Sequence, residues 1–156
     1  MEHCELVPGR GIRHGKTEIF FNEKRATLRA ALGEPIPPSN PMWDDEDEFV
    51  RGGEEWLRLR FVDNKLADIE VLGGTLSYKD IELKDTDVRT LKDGLNNHGL
   101  VLTDVTEWLS EGRDCIDLQI VVATAGDVEV VDDLEEGKQD RIAWVITSRD
   151  FEIEDA

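Results

Sequence analysis

Positive charge is what this chain has least of. Eighteen lysines and arginines stand against 36 aspartates and glutamates in 156 residues, a formal charge of −18. Nucleic acids and anionic membranes both demand a basic face, so they are excluded as partners; a basic protein is favoured, or simple solubility in a salt-rich setting. Cysteine is scarce as well: Cys4 and Cys115 lie far apart with no CxxC spacing, which predicts free thiols in a reducing compartment. No stretch approaches the roughly 18 apolar residues of a membrane span, and the amino terminus lacks a basic start followed by an apolar run, so the expectation is a cytoplasmic protein. The three histidines, His3, His14 and His98, have no serine or cysteine partner in their context, and His3, Cys4 and His14 lack a fourth ligand at a recognised spacing. Gly9, Gly11 and Gly15 form neither GxGxxG nor a P-loop. The expectation is therefore no metal, no cofactor and no catalysis.

What is present is a globular balance of 39% apolar and 35% charged residues, enough for one domain with a charged surface. Its organising stretch is Glu54 to Leu72. Leu57, Leu59 and Phe61 alternate with Trp56, Arg58 and Arg60, and Ala67, Ile69 and Val71 alternate with Asp68 and Glu70, the period of two strands. A three-residue loop of Asp63, Asn64 and Lys65 sets Phe61 opposite Ala67, Leu59 opposite Ile69 and Leu57 opposite Val71. Arg60 then meets Asp68, and Arg58 meets Glu70. A slip of one residue would turn the apolar set to water and break every charge pair, each worth about 0.2–1 kcal/mol. Trp56 falls on the wet face with the arginines.

Around this hairpin the pattern predicts an extended glycine-rich lead-in over residues 1–16, a strand over 17–21, and a helix from about Glu23 to Leu32 capped by Asn22 and stopped at Gly33. A second helix, capped by Asp85 or Thr86, is expected from Asp87 to about Asn97. Strands are predicted over 75–83, 100–109, 115–124, 141–148 and 151–153. Residues 34–53, with Pro35, Pro37, Pro38 and Pro41, read as a long loop. That loop holds five adjacent carboxylates, Asp44, Asp45, Glu46, Asp47 and Glu48, between Trp43 and Phe49. Aromatic anchors beside peripheral charge are what a protein interface uses, so these seven residues with Glu54 and Glu55 form the candidate partner-binding surface. A solvated loop whose aromatics plug the core is the competing reading. A second acidic excursion spans Asp132 to Glu136.

The second half of the chain echoes the first. Gly53 to Val62 aligns without gaps on Gly112 to Val121, and Lys79 to Asp85 on Arg149 to Asp155. The match admits either a duplication, with repeats over 17–85 and 86–155, or a coincidence of amphipathic strands. The fold expected is α+β, two tandem helix-plus-antiparallel-sheet units in a single domain, which can pack as one continuous curved sheet with both helices on one face.

The segment Ile19-Phe-Phe-Asn-Glu-Lys-Arg-Ala-Thr-Leu-Arg-Ala-Ala-Leu-Gly-Glu-Pro35, with Trp56-Leu-Arg-Leu-Arg-Phe61, resembles the strand–helix–LGxP and hairpin signature of beta-lactamase inhibitor protein-like domains and of immunity proteins encoded beside secreted bacterial toxins. The resemblance implies a tandem unit whose concave sheet docks a partner protein without cofactor or chemistry. It carries over no partner-contacting residue, and the lack of paired cysteines departs from the secreted inhibitors. With the −18 charge, it leads to the expectation of an immunity protein that inhibits a basic, nuclease-type bacterial toxin; the alternative is a stand-alone acidic domain with a housekeeping or halophilic role and no toxin partner.

Overall fold

A computed structural model describes residues 2–37, 45–109, 111–128 and 138–151. Trp43, Asp44, the excursion from Asp132 to Glu136 and most of the expected last strand lie outside the described residues.

The fold is α+β with two sheets. The first sheet has the order β3-β2-β1-β7-β8, from β1 (His3–Val7), β2 (Gly11–His14), β3 (Thr17–Phe20), β7 (Thr75–Tyr78) and β8 (Ile81–Glu82). The second has the order β4-β5-β6-β11-β10-β9, from β4 (Glu46–Arg51), β5 (Glu54–Val62), β6 (Lys65–Val71), β9 (Arg113–Cys115), β10 (Ile120–Thr124) and β11 (Ile142–Ser148). Helices α1 (Arg25–Leu32) and α2 (Val88–Asn97) present Leu28, Leu32, Leu91 and Leu95 to one core, shared with Leu6, Ile12 and Leu76 of the first sheet and Leu57, Leu59 and Ile69 of the second. A short helix α3 (Ala125–Val128) follows β10. Among the described residues no helix is long and apolar enough to cross a membrane.

Each half of the chain runs in the same order. A hairpin in the first sheet (β2-β3, then β7-β8) leads to a helix (α1, then α2) and on to a three-stranded meander in the second sheet (β4-β5-β6, then β9-β10-β11). The meanders join at β6 and β11, where Val71 pairs with Val145 and Ile69 with Thr147, so the six strands make one continuous sheet. The segments leading into the meanders match too: Ile36 donates its N–H to Glu48 O on edge strand β4 at 2.9 Å, and Thr103 donates to Asp114 O on edge strand β9 at 2.9 Å. The sequence echo does not follow this order. Gly53–Val62 contains the unbroken strand β5, whereas Gly112–Val121 holds β9, a 3₁₀ turn at Ile116–Leu118, Gln119 at φ 54° and the start of β10. The topology matches β5 with β10 instead.

The central hairpin keeps the expected register at Leu57–Val71, Arg58–Glu70, Leu59–Ile69 and Arg60–Asp68. Its turn is shorter than expected. Asp63 and Asn64 alone form the loop, at φ 53° and 63°, the two positive values of a type I′ turn. Ala67 supplies the missing residue as a β-bulge, because Phe61 pairs with Leu66 and Arg60 with Asp68. A two-residue turn and one bulge have the parity of a three-residue loop, so the charge pairs survive.

Other expectations are corrected. Residues 1–16 are not a lead-in; they form β1 and β2, with β1 parallel to β7. Residues 75–83 are a hairpin and not one strand, turning at Lys79 with φ 54°. Residues 100–109 form no strand. Asn22 does not cap α1: it sits at φ 71°, its N–H goes to Leu66 O, and Leu66 returns its own to Glu23 O. The helix begins two residues later, after Lys24, with no side-chain cap. The link from β6 to β7 needs glycine, since Gly74 lies at φ 72° and a Cβ there would strike Glu2 O.

Candidate functional site

The acidic run is a strand in its second half, and this splits the expected surface. In β4 the side chains alternate, so Asp47 and Phe49 point inward while Glu46 and Glu48 point outward. Phe49, 2% exposed, is part of the core. Asp47 is 1% exposed and lies beneath two guanidiniums: Arg25 Nη2 donates to Oδ1 at 2.6 Å, Arg29 Nη2 to Oδ1 at 2.7 Å and Arg29 Nε to Oδ2 at 2.8 Å. Burial alone would raise the Asp47 carboxyl, but the hydrogen bonds from Arg29 and Arg25 outweigh it and hold the group below its ordinary range. Arg51 Nη2 closes the other end of the helix on Leu32 O at 2.6 Å. Asp47 therefore clamps α1 to β4, and neither it nor Phe49 is available to a partner.

The outer face of the second sheet carries what remains. Arg58 Nη2 meets Glu48 Oε1 at 2.7 Å and its Nη1 meets Glu70 Oε2 at 3.2 Å, with Glu46 4.0 Å from Nε. Arg60 pairs with Asp68, and Asp150 lies 3.9 Å from its Nη2. Asp45 acts on Glu46 and Arg60, and Glu55 on Glu70, so both belong to the same field. Among the described residues seven carboxylates (Asp45, Glu46, Glu48, Glu55, Asp68, Glu70, Asp150) thus share this field with three guanidiniums, Arg58, Arg60 and Arg149, the last 3.9 Å from Asp150. Burial raises Glu70 against the opposing pull of Arg58; burial likewise raises Glu46, with Asp45 and Glu48 adding to it.

This ladder meets an apolar wall. Leu109, Ile146 and Phe151 join Glu46, Arg58, Arg60, Asp68 and Glu70 around a cavity of about 190 Å³, and Phe151 stacks on Trp108 with centroids 4.7 Å apart and planes 10° apart. Leu109 and Trp108 are held by the segment that Asp114 fastens, its Oδ2 accepting from Glu107 N at 2.8 Å. Nothing in the sequence pattern pointed to this wall, which is assembled from the segment at Trp108 and Leu109, strand β11 at Ile146 and the residue Phe151 beyond it.

Comparison with known proteins adds no further constraint. No family model, curated protein or solved structure matches the chain. The site stands on its geometry, and so does the placing of the other expected residues. Glu54 and Glu55 are exposed, and they line a separate cleft with Glu2, Arg51, Gly52, Trp56 and Gly74. Trp56 is not on the wet face. Phe49 pairs with Leu57 and Val50 with Glu55, which leaves Trp56 as a second bulge that turns inward to 2% exposure, beneath Arg51 at 4.8 Å and against His14 at 4.8 Å. Cys4 is buried beside it; burial pushes the thiol up to about 12, against a smaller opposing effect of the Trp56 indole. Among the described residues no group of three or more His, Cys, Asp or Glu side chains is arranged to hold a metal ion.

The site's charge should be visible in its pH dependence. Glu46 and Glu70 bind protons more tightly in the folded chain than in the unfolded one, so their effect on stability has the opposite sign to that of Asp47. As pH falls from neutral through their raised values, protonation relieves the fold and stability rises; further acidification removes Asp47's contribution and stability falls. Urea unfolding across pH should show the rise in the parent chain and its loss in Glu46→Gln/Glu70→Gln. A monotonic fall in both would mean that the pull of Arg58 outweighs burial and these carboxylates are not raised.

Proposed function

We propose that this chain is a non-enzymatic binding protein of the immunity type, which inhibits a basic, nuclease-type bacterial toxin by covering it with the outer face of the second sheet. The observation that supports this most is the ratio, among the described residues, of seven carboxylates to three guanidiniums on and beside one sheet face. Carboxylates held close repel one another, and a folded monomer would gain by losing some of them. A cationic partner supplies a reason to keep them, and opposite fields raise association about 10–10³-fold at low salt. The clamp on Asp47 favours docking by face over strand addition. The β4 carbonyls that turn away from β5 are already occupied: Glu46 O by Arg25 at 3.2 Å, Glu48 O by Ile36 N at 2.9 Å and Val50 O by Arg51 at 3.0 Å.

The test is the double reversal Asp45→Lys/Glu55→Lys, since neither side chain makes a hydrogen bond or ion pair among the described residues. Association with a basic nuclease domain as candidate partner would be followed by stopped flow at low and high salt. The association rate should fall about tenfold or more at low salt, with the difference shrinking as salt screens it and unfolding free energy within about 0.5 kcal/mol of the parent. An unchanged rate would remove this face from any interface.

A further inference from the structure

We infer that the cavity between the charge ladder and the Trp108–Phe151 stack is a socket for one arginine side chain of the partner. The inference rests on the docking reading above and names the group that this face would grip most closely. Size is the first argument. At about 190 Å³ the cavity lies below the roughly 300–1,000 Å³ of ordinary small-molecule sites, so it holds one side chain and not a metabolite.

The lining is the second argument. It is amphipathic, with Ile146, Leu109 and Phe151 to cover a methylene stem and a polar part in which the carboxylates of Glu46, Asp68 and Glu70 outnumber the guanidiniums of Arg58 and Arg60. The chain's own arginines show how charge is accommodated here. Arg58 lies between Glu48 and Glu70, carboxylates from the strands on either side of it, and Arg60 sits with Asp68 beside Asp150. Glu46 is the lining carboxylate left over: its nearest cation is Arg58 Nε at 4.0 Å, too long for a hydrogen bond. An incoming guanidinium would complete the row.

Arginine is favoured over lysine on chemical grounds. A guanidinium is planar and weakly hydrated, it packs on aromatic and apolar walls, and it offers a fork to carboxylates; an ammonium is compact and strongly hydrated and must give up more water to enter. Phe151, fixed by its stack on Trp108, supplies such a wall.

The probes are L-argininamide and L-lysinamide, which carry equal charge, titrated into the full chain while the Trp108 indole N–H and Ile146 methyl resonances are followed. Saturable shifts are expected with argininamide, and binding about two- to fivefold weaker with lysinamide, the worth of one half-exposed cation–aromatic contact. Glu46→Gln should weaken argininamide by about two- to fivefold, as expected for one half-exposed ion pair. Ile146→Ala strips the wall without touching charge and should weaken it too, while Asp80→Asn, on the remote surface by His98, should not. Equal binding of the two probes, absent saturation, or indifference to both Glu46→Gln and Ile146→Ala would overturn the socket. If the socket fails but partner association still falls on Asp45→Lys/Glu55→Lys, the proposed function stands; if argininamide binds as expected and that reversal changes nothing, the socket stands and the proposed function falls.

Discussion

Asp47→Ala is expected to cost about 3 kcal/mol of folding stability, the lower end of what breaking a buried ion pair removes. The carboxylate is 1% exposed and receives hydrogen bonds from two arginines, so its loss leaves two cations over the strand without their hydrogen-bonded counter-charge. Arg29 is 39% exposed at its side chain and can partly rehydrate, which keeps the figure from the upper end. Arg25 is more constrained, at 19% and stacked over Phe61 at 5.0 Å. Because the folded-state value of Asp47 is depressed, its contribution is complete above the unfolded carboxylate value and disappears as pH falls through the folded one. Urea unfolding at neutral and strongly acidic pH measures both. A neutral-pH loss under about 1 kcal/mol would mean that the clamp is no better than a surface pair.

Leu59→Ala should cost about 2–5 kcal/mol, and its place argues for the upper half of that range. Leu59 is 0% exposed in the middle of β5, with Asp47 opposite on one side and Ile69 on the other. Both neighbouring strands are pinned by ion pairs, so the sheet cannot collapse into the space left behind. The expected signature is a lower urea midpoint with an unchanged slope. A loss below about 2 kcal/mol would show that this face is not the rigid part of the core.

The hairpin was legible because two independent patterns demanded the same register. Apolar alternation and opposite-charge pairing both fix Arg58 against Glu70 and Arg60 against Asp68, and a bulge at Ala67 could alter the turn without disturbing either. Both helices were legible from apolar spacing and a following glycine, but the cap of α2 falls later than expected: Asp87, and not Asp85 or Thr86, accepts from Thr90 N at 2.8 Å. Strand β4 was not. Its prolines lie before it, and its carboxylates suit a strand only because Arg25 and Arg29, about 20 positions earlier in the chain, reach Asp47. A buried acid is signalled by its partners, and single-sequence alternation does not see partners. Trp56 was assigned to the wrong face for a related reason. A bulge resets parity, and no turn residue marks this one. Of the nine residues expected to form the binding surface, two are core or clamp, two lie outside the described residues, and Glu54 and Glu55 line the separate cleft, Glu55 also acting on Glu70; Asp45, Glu46 and Glu48 remain on the charged face. The rest of that face, Asp68, Glu70 and the Ile146–Phe151 wall, comes from strands and loops that only the β6–β11 seam brings together.

That seam has a consequence for how the chain can assemble. Two ladders hold the halves to each other, β6 with β11 and β1 with β7, while only Leu72, Gly73 and Gly74 connect β6 to β7 covalently. Two molecules that exchanged everything after Gly74 would remake both ladders in trans, with the same pairs in the same register. In such an exchange the connector would be the hinge, and the balance between closed and exchanged forms would be set by concentration and by the strain of that short link. Replacing Gly74, whose left-handed backbone makes the tight crossing possible, disfavours the closed form and should shift the protein toward the exchanged one.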